Sequence, residues 1–386
     1  MSAMGIKNID AELHVRGESQ FLDDIPVPEG TLYAAVFSSP VAHGDITRLD
    51  ITAAERMEGI HGTFTAEDIP GENQIGNIIP DEPLLATREV VYVGQPIAIV
   101  VGESAGIARA AMRAITMEYR ERPAIFDPRE AHAQGQLIAP PVTSSLGNLD
   151  ETWKKCHMVA EGTAESGGQE HLYLETQGAL AYPTENGRLK VVSGTQAPST
   201  VQQVVSRVLG LPMHQIEVDV LRLGGGFGGK EEQGTPWSVM AALAAFRLKR
   251  PVKLVLRRDE DMRMTGKRHP YSSDFRIGLT RDGKILAYEV TFYQNAGAVW
   301  PTCHRPFWTG RFFTAPTAIS YPMSRLPESV AAPICHPIPP SVASVLRKLH
   351  SSWRPRSSRR LRDWVSSRGL SRRRICSGKA TNSITA

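Results

Sequence analysis

The sequence predicts a mixed α/β (α+β) fold built from two consecutive units. Strand-like and helix-like patterns alternate from Leu32 to Gln294, a Pro/Gly/Ser/Gln-rich stretch without periodicity interrupts them near residues 132–150, and the composition is that of a globular protein. At 386 residues, 41% hydrophobic and 22% charged, the chain can bury more than one core.

LYAAVFSS from Leu32 reads as a strand, and ITAAERME from Ile51 as a short helix. The β-branched run Val90–Gly102 is broken at Gly94-Gln95-Pro96, where proline excludes a central ladder. Ser104 is placed to cap a helix running to Arg120, with Ile107, Ala111, Ile115 and Met117 as its apolar stripe. Beyond the linker, ALAYPT and RLKVVSGTQ flank Glu185-Asn186-Gly187, the residues of a tight hairpin turn. Ser199 or Thr200 caps VQQVVSRVL, which ends at Gly210, where a left-handed residue is wanted. The strand IEVDVLRL is expected to run into Gly224–Glu231, and Thr235-Pro236 opens the next helix. PVKLVLRR and the pair DFRIGLT and ILAYEVTFYQ complete the patterned part.

This divides the chain into an N-terminal extension (1–16), a first α/β unit (17–131), a linker (132–150), a second unit (151–299) and a tail (300–386). The tail differs in kind. Residues 301–386 hold fifteen Lys/Arg against Glu328 and Asp363, so they carry +13 of a formal +4 and leave residues 1–300 at −9. Its mixture of proline, arginine and tryptophan without a period is expected to be disordered, and reads as a frame never selected to fold. The acidic body argues against nucleic acid as a partner. No apolar run approaches the roughly 18 residues of a membrane span, and no secretory leader is visible, so the expected location is the cytoplasm. The four cysteines lie far apart, which leaves no thiolate cluster for zinc or iron–sulfur.

The most informative segment is Gly224-Gly225-Gly226-Phe227-Gly228-Gly229-Lys230-Glu231. It satisfies the spacing of a dinucleotide loop over Gly224–Gly229, yet the ribose-binding acid about 20 residues on is missing; Asp259 and Glu260 come later. A phosphate-binding P-loop fails because Glu231 stands where Ser or Thr must meet magnesium. What the loop can do is bring backbone N–H groups close to an anionic or heteroaromatic ligand, with Phe227 as a flat face and Glu231 as an acceptor. Upstream, Gly167-Gly168-Gln169-Glu170-His171 places an amide among glycines. His171 and Glu175 have metal-ligand spacing but no third partner.

These two motifs, about 60 residues apart and in this order, resemble the molybdenum hydroxylase family of xanthine dehydrogenases and aldehyde oxidases. Val93-Gly94-Gln95-Pro96, Arg258-Asp259-Glu260-Asp261-Met262, Gly266-Lys267-Arg268-His269-Pro270 and Asn295-Ala296-Gly297-Ala298 extend the likeness over roughly residues 15–298. The resemblance implies a small hammerhead-type α/β domain over 17–131, followed by the first part of a molybdopterin-binding α/β domain. It implies a molybdenum–molybdopterin cofactor whose own dithiolene supplies the thiolates. By position, Gln169 would hydrogen-bond an oxygen ligand of the molybdenum, Phe227 would pack beside metal and substrate, Gly226 and Gly228 would offer backbone amides to the cofactor, and Glu231 would contact substrate. Hydroxylation of a purine or other azaheterocycle is implied, with iron–sulfur and FAD groups on partner subunits carrying electrons to NAD. The family's Arg-Gly-Phe-Gly-Gly segment and its late catalytic glutamate are not found after Ala298, so the chain is expected to be incomplete and inactive alone. The competing readings are an aldehyde oxidase-type hydroxylase, a nucleotide-dependent dehydrogenase using Gly224–Gly229, and a non-enzymatic binding protein with a basic tail.

Overall fold

The computed structural model describes residues 10–76, 80–138, 141 and 147–298; the basic tail read from residue 300 onward lies outside them. The described residues form two compact units, one from 10–124 with 170–268, the other from 125–169 with 269–296.

In chain order the first unit contains α1 (Ala11–Arg16), β1 (Leu32–Ser38), β2 (Gly44–Asp50), α2 (Thr52–Glu55), β3 (Ile60–Phe64), β4 (Glu89–Val90), β5 (Pro96–Gly102), α3 (Ala105–Met112) and β6 (Thr116–Glu121). The second unit supplies α4 (Pro128–Ala133), α5 (Leu149–Trp153) and β7 (Met158–Ser166). The chain then returns to the first unit with β8 (Gly178–Pro183), β9 (Leu189–Ser193), α6 (Pro198–Leu209), β10 (Ile216–Asp219), α7 (Thr235–Leu248), β11 (Val252–Val255) and α8 (Arg258–Met264). It ends in the second unit with β12 (Tyr271–Leu279) and β13 (Ile285–Gln294).

One seven-stranded sheet, in the order β10-β9-β8-β11-β1-β5-β3, joins strands from both sides of the sequence linker. The joint is β1 against β11, parallel, with Leu32 opposite Val252. Strand β5 shows why the sheet can sit centrally: all seven of its residues are buried. Ile99 and Val101 face the cluster built by α6 and α7, whereas Ala98 and Val100 face the cluster of Ala54 and Ala111. A strand buried on both sides needs apolar residues at every position, and Ile97–Val101 provides them. Helix α7 is buried from Thr235 to Ala245, so it lacks a polar face. A second sheet of the same unit, β4-β2-β6, is small and largely polar on its outer side.

Several expectations are met locally. Ser104 accepts from the Ile107 N–H at 3.2 Å and caps α3. Asn186 (φ 59°) and Gly187 (φ 71°) both take left-handed backbone and turn β8 into β9. Gly210 (φ 65°) ends α6. Others need correction. Helix α3 stops at Met112, and Thr116–Glu121 is a strand on β2, with Met117 opposite Leu49. The β-branched pair Ile115-Thr116 disfavours further helix, while the strand satisfies its backbone against β2. Helix α6 starts at Pro198 without a side-chain cap, because proline at the first position pre-sets φ there. Strand β10 ends at Asp219, opposite Val192, where its pairing with β9 stops, so Val220–Leu223 is not strand.

The second unit is an antiparallel sheet, β13-β12-β7. Asp127 caps α4 by accepting from the Arg129 and Glu130 N–H groups, and Arg129 pairs with Glu165 at 2.6 Å and Asp274 at 2.7 Å.

His43 closes the polar side of the β4-β2-β6 sheet. Its Nδ1 meets the Pro123 carbonyl at 2.9 Å and its Nε2 meets Glu89 at 3.0 Å. Two acceptors require two ring protons, so the Pro123 carbonyl and Glu89 together hold the imidazole's pKa above its ordinary 6.5, against burial and Arg122. A raised folded pKa contributes stability that is complete below the unfolded value of about 6.5 and lost as pH rises through the folded one. Thermal melts of the full chain should therefore lose stability above about pH 6.5, and His43→Gln should flatten that slope, by less than about 1 kcal/mol for a partly exposed pair. An unchanged slope in His43→Gln would refute the assignment.

Candidate functional site

Glycine cannot anchor itself through a side chain, so the shape of Gly224–Lys230 is imposed by its neighbours. Glu175 Oε2 accepts from the Gly224 N–H at 2.9 Å and from Lys230 Nζ at 2.8 Å. Gln196, delivered by the end of β9, turns its Oε1 toward the Gly228 and Lys230 N–H groups at 3.1 and 3.2 Å. The Gly229 N–H returns to the Gly226 carbonyl at 2.7 Å, closing a tight turn whose second residue, Phe227, is held at φ 53°. Two glycines are forced by close approach: a Cβ on Gly226 would lie 2.5 Å from Gln196 Oε1, and one on Gly229 would lie 2.6 Å from the His171 ring.

Four of the loop's backbone N–H groups are thus consumed, together with Lys230 Nζ. Among the described residues, the N–H groups of Gly225, Gly226 and Phe227 have no protein acceptor. Phe227 is 60% exposed, and Glu231 is exposed as well.

Beneath the loop lies a buried polar hub. Asp261, fully buried on α8, accepts from the Tyr173 hydroxyl at 2.9 Å and the Gln177 N–H at 2.7 Å. Gln177 Nε2 donates to the Tyr173 oxygen and, at 2.8 Å, to the Gly229 carbonyl. Burial, reinforced by the Asp261 charge, pushes the Tyr173 phenol far up, so it stays a donor. Arg258, also on α8, donates to the carbonyls of Tyr173 and Leu174 at 2.6 and 2.9 Å. Lys267 pairs with Glu170 at 2.8 Å. Burial would raise the Glu170 pKa, but the hydrogen bond and charge of Lys267 outweigh it and hold it low.

Of the residues singled out in the sequence, Gly226, Phe227, Gly228 and Glu231 stand together on the loop. The Gly228 N–H is taken by Gln196, whereas the N–H of Gly226, a buried residue, has no acceptor among the described residues. Gln169 is exposed and belongs to the second unit. His171 and Glu175 do not converge on a metal: the His171 ring stacks on Tyr173 at 6.4 Å while Glu175 turns to Lys230. No group of three or more His, Cys, Asp or Glu able to hold a metal occurs among the described residues. The dinucleotide reading loses its strand, because β10 ends at Asp219, short of Gly224. Sequence reasoning missed Gln196, Gln177 and Asp261. Only the position of Gln196 at a strand end before a proline-initiated helix offered a local signal.

The sequence profile of the molybdopterin cofactor-binding domain matches residues 131–323, and that of the aldehyde oxidase and xanthine dehydrogenase a/b hammerhead domain matches residues 16–123. Xanthine dehydrogenase 1 of Arabidopsis thaliana is 41% identical over 295 residues, covering 75% of this chain and 22% of the plant protein. Aldehyde oxidase 2 of Macaca fascicularis is 37% identical over 294 residues, covering 76% and 22%. Among solved structures, quinoline 2-oxidoreductase from Pseudomonas putida 86 superposes with a TM-score of 0.65 at 27% identity, covering 74% of this chain and 38% of that one. CO dehydrogenase from Oligotropha carboxidovorans gives 0.65 at 26% identity, covering 74% and 39%. The chain belongs to the molybdenum hydroxylase family, carrying its hammerhead and molybdopterin-binding regions in a mixed α/β fold. It spans about a fifth of the length of the curated relatives it matches. No helix among the described residues is long and apolar enough to cross a membrane.

The hub yields a direct test. Asp261→Ala strands the Tyr173 hydroxyl and the Gln177 N–H in the core, and should cost about 2–5 kcal/mol in urea unfolding. A cost under about 1 kcal/mol would show that the hub does not support the loop.

Proposed function

We propose that this chain is the molybdopterin-clasping part of an enzyme that hydroxylates a purine such as hypoxanthine or xanthine, or a related azaheterocycle, and passes electrons to iron–sulfur and FAD groups on partner subunits. The observation that carries the reading is the glycine loop itself: three consecutive N–H groups, at Gly225, Gly226 and Phe227, without an acceptor among the described residues, above a polar base. Such a row of amides suits the oxygen-rich, anionic rim of a pterin cofactor that brings its own sulfur ligands. When bound, the cofactor supplies the metal that activates water as a nucleophile and accepts the two electrons.

The chain's own residues bind and orient. Gly226 lets Gln196 approach the loop backbone, since a Cβ there would lie 2.5 Å from Gln196 Oε1. Gln196 has its carbonyl fixed toward two loop N–H groups, which leaves its Nε2 as a donor beside the loop. Gln169, assigned from the resemblance, is the amide proposed for an oxygen ligand of the molybdenum. Phe227 offers a flat apolar face for a ring, and the exposed Glu231 carboxylate accepts a hydrogen bond from a ring N–H. An aldehyde has no such N–H. That difference favours a purine-like substrate.

Two measurements test this. The full chain, co-expressed with molybdopterin biosynthesis, should retain molybdenum and pterin in equal amounts, and Gly226→Val should retain neither. In the cofactor-loaded chain, Glu231→Gln should weaken xanthine binding about tenfold or more, the value of a hydrogen bond to a charged acceptor, while leaving binding of an aldehyde within about twofold. Equal losses for both substrates would overturn the purine assignment.

A further inference from the structure

We propose that the buried Glu175–Lys230 ion pair is a latch that positions the glycine loop for its ligand, both side chains acting as positioning residues that never touch the ligand. The inference rests on the molybdopterin reading above for the identity of that ligand. The latch itself rests on geometry.

The Lys230 side chain is fully buried, and its Nζ stands 2.8 Å from Glu175 Oε2, the side chain of Glu175 being 12% exposed. Burying two charges is costly, and a core selected only for stability would fill the same space with apolar groups. What the charges add is direction. One oxygen, Glu175 Oε2, gathers the first residue of the loop through the Gly224 N–H and the last through Lys230 Nζ. The other oxygen takes the Leu22 N–H at 3.1 Å, tying in the segment before β1. Lys230 Nζ also lies 4.8 Å above the centre of the Tyr173 ring, whose hydroxyl belongs to the Asp261 hub. The Lys230 carbonyl accepts from the Gln196 N–H at 2.8 Å and its own N–H goes to Gln196 Oε1, so the lysine is held at backbone and side chain alike.

With Gly224 and Lys230 pinned to one atom, the chain between them has little freedom. The strained residue Phe227 at φ 53° persists because its surroundings over-determine it. The pinning also decides which amides remain for a ligand: Gly224, Gly228, Gly229 and Lys230 are spent inward, and Gly225, Gly226 and Phe227 are left. Burial, helped by the Arg258 charge, pulls the Lys230 ammonium below its ordinary pKa against Glu175 and Asp261, so alkaline pH should be the condition that opens the latch.

The experiment uses the full chain and the double variant Glu175→Met with Lys230→Met, which removes both charges and strands neither. Amide hydrogen exchange and molybdopterin affinity are measured from neutral to alkaline pH. The latch predicts that α7 and the seven-stranded sheet stay protected in the variant, while the Gly224 and Lys230 amides exchange about tenfold faster and affinity falls about tenfold. It also predicts that wild-type affinity declines toward alkaline pH and that the variant's profile is flat. Wild-type loop exchange in the variant, or an affinity within about twofold with an unchanged pH profile, would overturn the proposal. Should the variant not fold, the wild-type chain decides alone: protection of Gly224 and Lys230 must fall relative to α7 as pH rises. Should the wild-type chain bind no molybdopterin at all, the functional reading fails, and the exchange comparison still judges the latch.

Discussion

Two side-chain oxygens, Glu175 Oε2 and Gln196 Oε1, each collect two donors from the glycine loop. The loop needs them because its five glycines offer no side chain to pack, and an unrestrained stretch of this kind would spread over many backbone states. A carboxylate answers the buried lysine and a neutral amide answers the backbone N–H groups, so charge is balanced where it is buried and dipoles are matched where it is not.

The clamps are only as rigid as the elements behind them. Gln196 leaves the end of β9, a strand fixed on both sides by β8 and β10. Glu175 lies between Tyr173 and Gln177, both tied to the fully buried Asp261 on α8. Helix α8 follows β11, the strand that pairs with β1 and closes the central sheet across the linker. A displacement of that sheet would therefore reach the loop through α8 and Asp261. A flexible sequence is thus set on a closely packed interior.

Much of the local structure was legible. The Asn186-Gly187 turn, the Ser104 cap, the proline start of α7 and the β12–β13 pair each carry their signal within a few residues, because turn and cap geometry is a local matter. The errors arise where pairing overrides pattern. Ile115 and Met117 continue a helical stripe in one dimension, yet β2 offers an edge that makes Thr116–Glu121 a strand. Helix α4 is hidden at the end of the first unit read from the sequence, because Asp127-Pro128 is a helix start whose helix has no buried face to betray it.

The sequence by itself determined the family and the loop: ordered glycine motifs, an aromatic among them and an acid after them are covalent facts that survive without coordinates. It could not determine what holds the loop. Glu175 and Lys230 are 55 residues apart, Tyr173 and Asp261 88, and Gln196 and Gly228 32. Nothing in spacing distinguishes these residues from surface ones. A buried charge becomes recognisable only when its partner is seen beside it, since burial and pairing are properties of the packed chain.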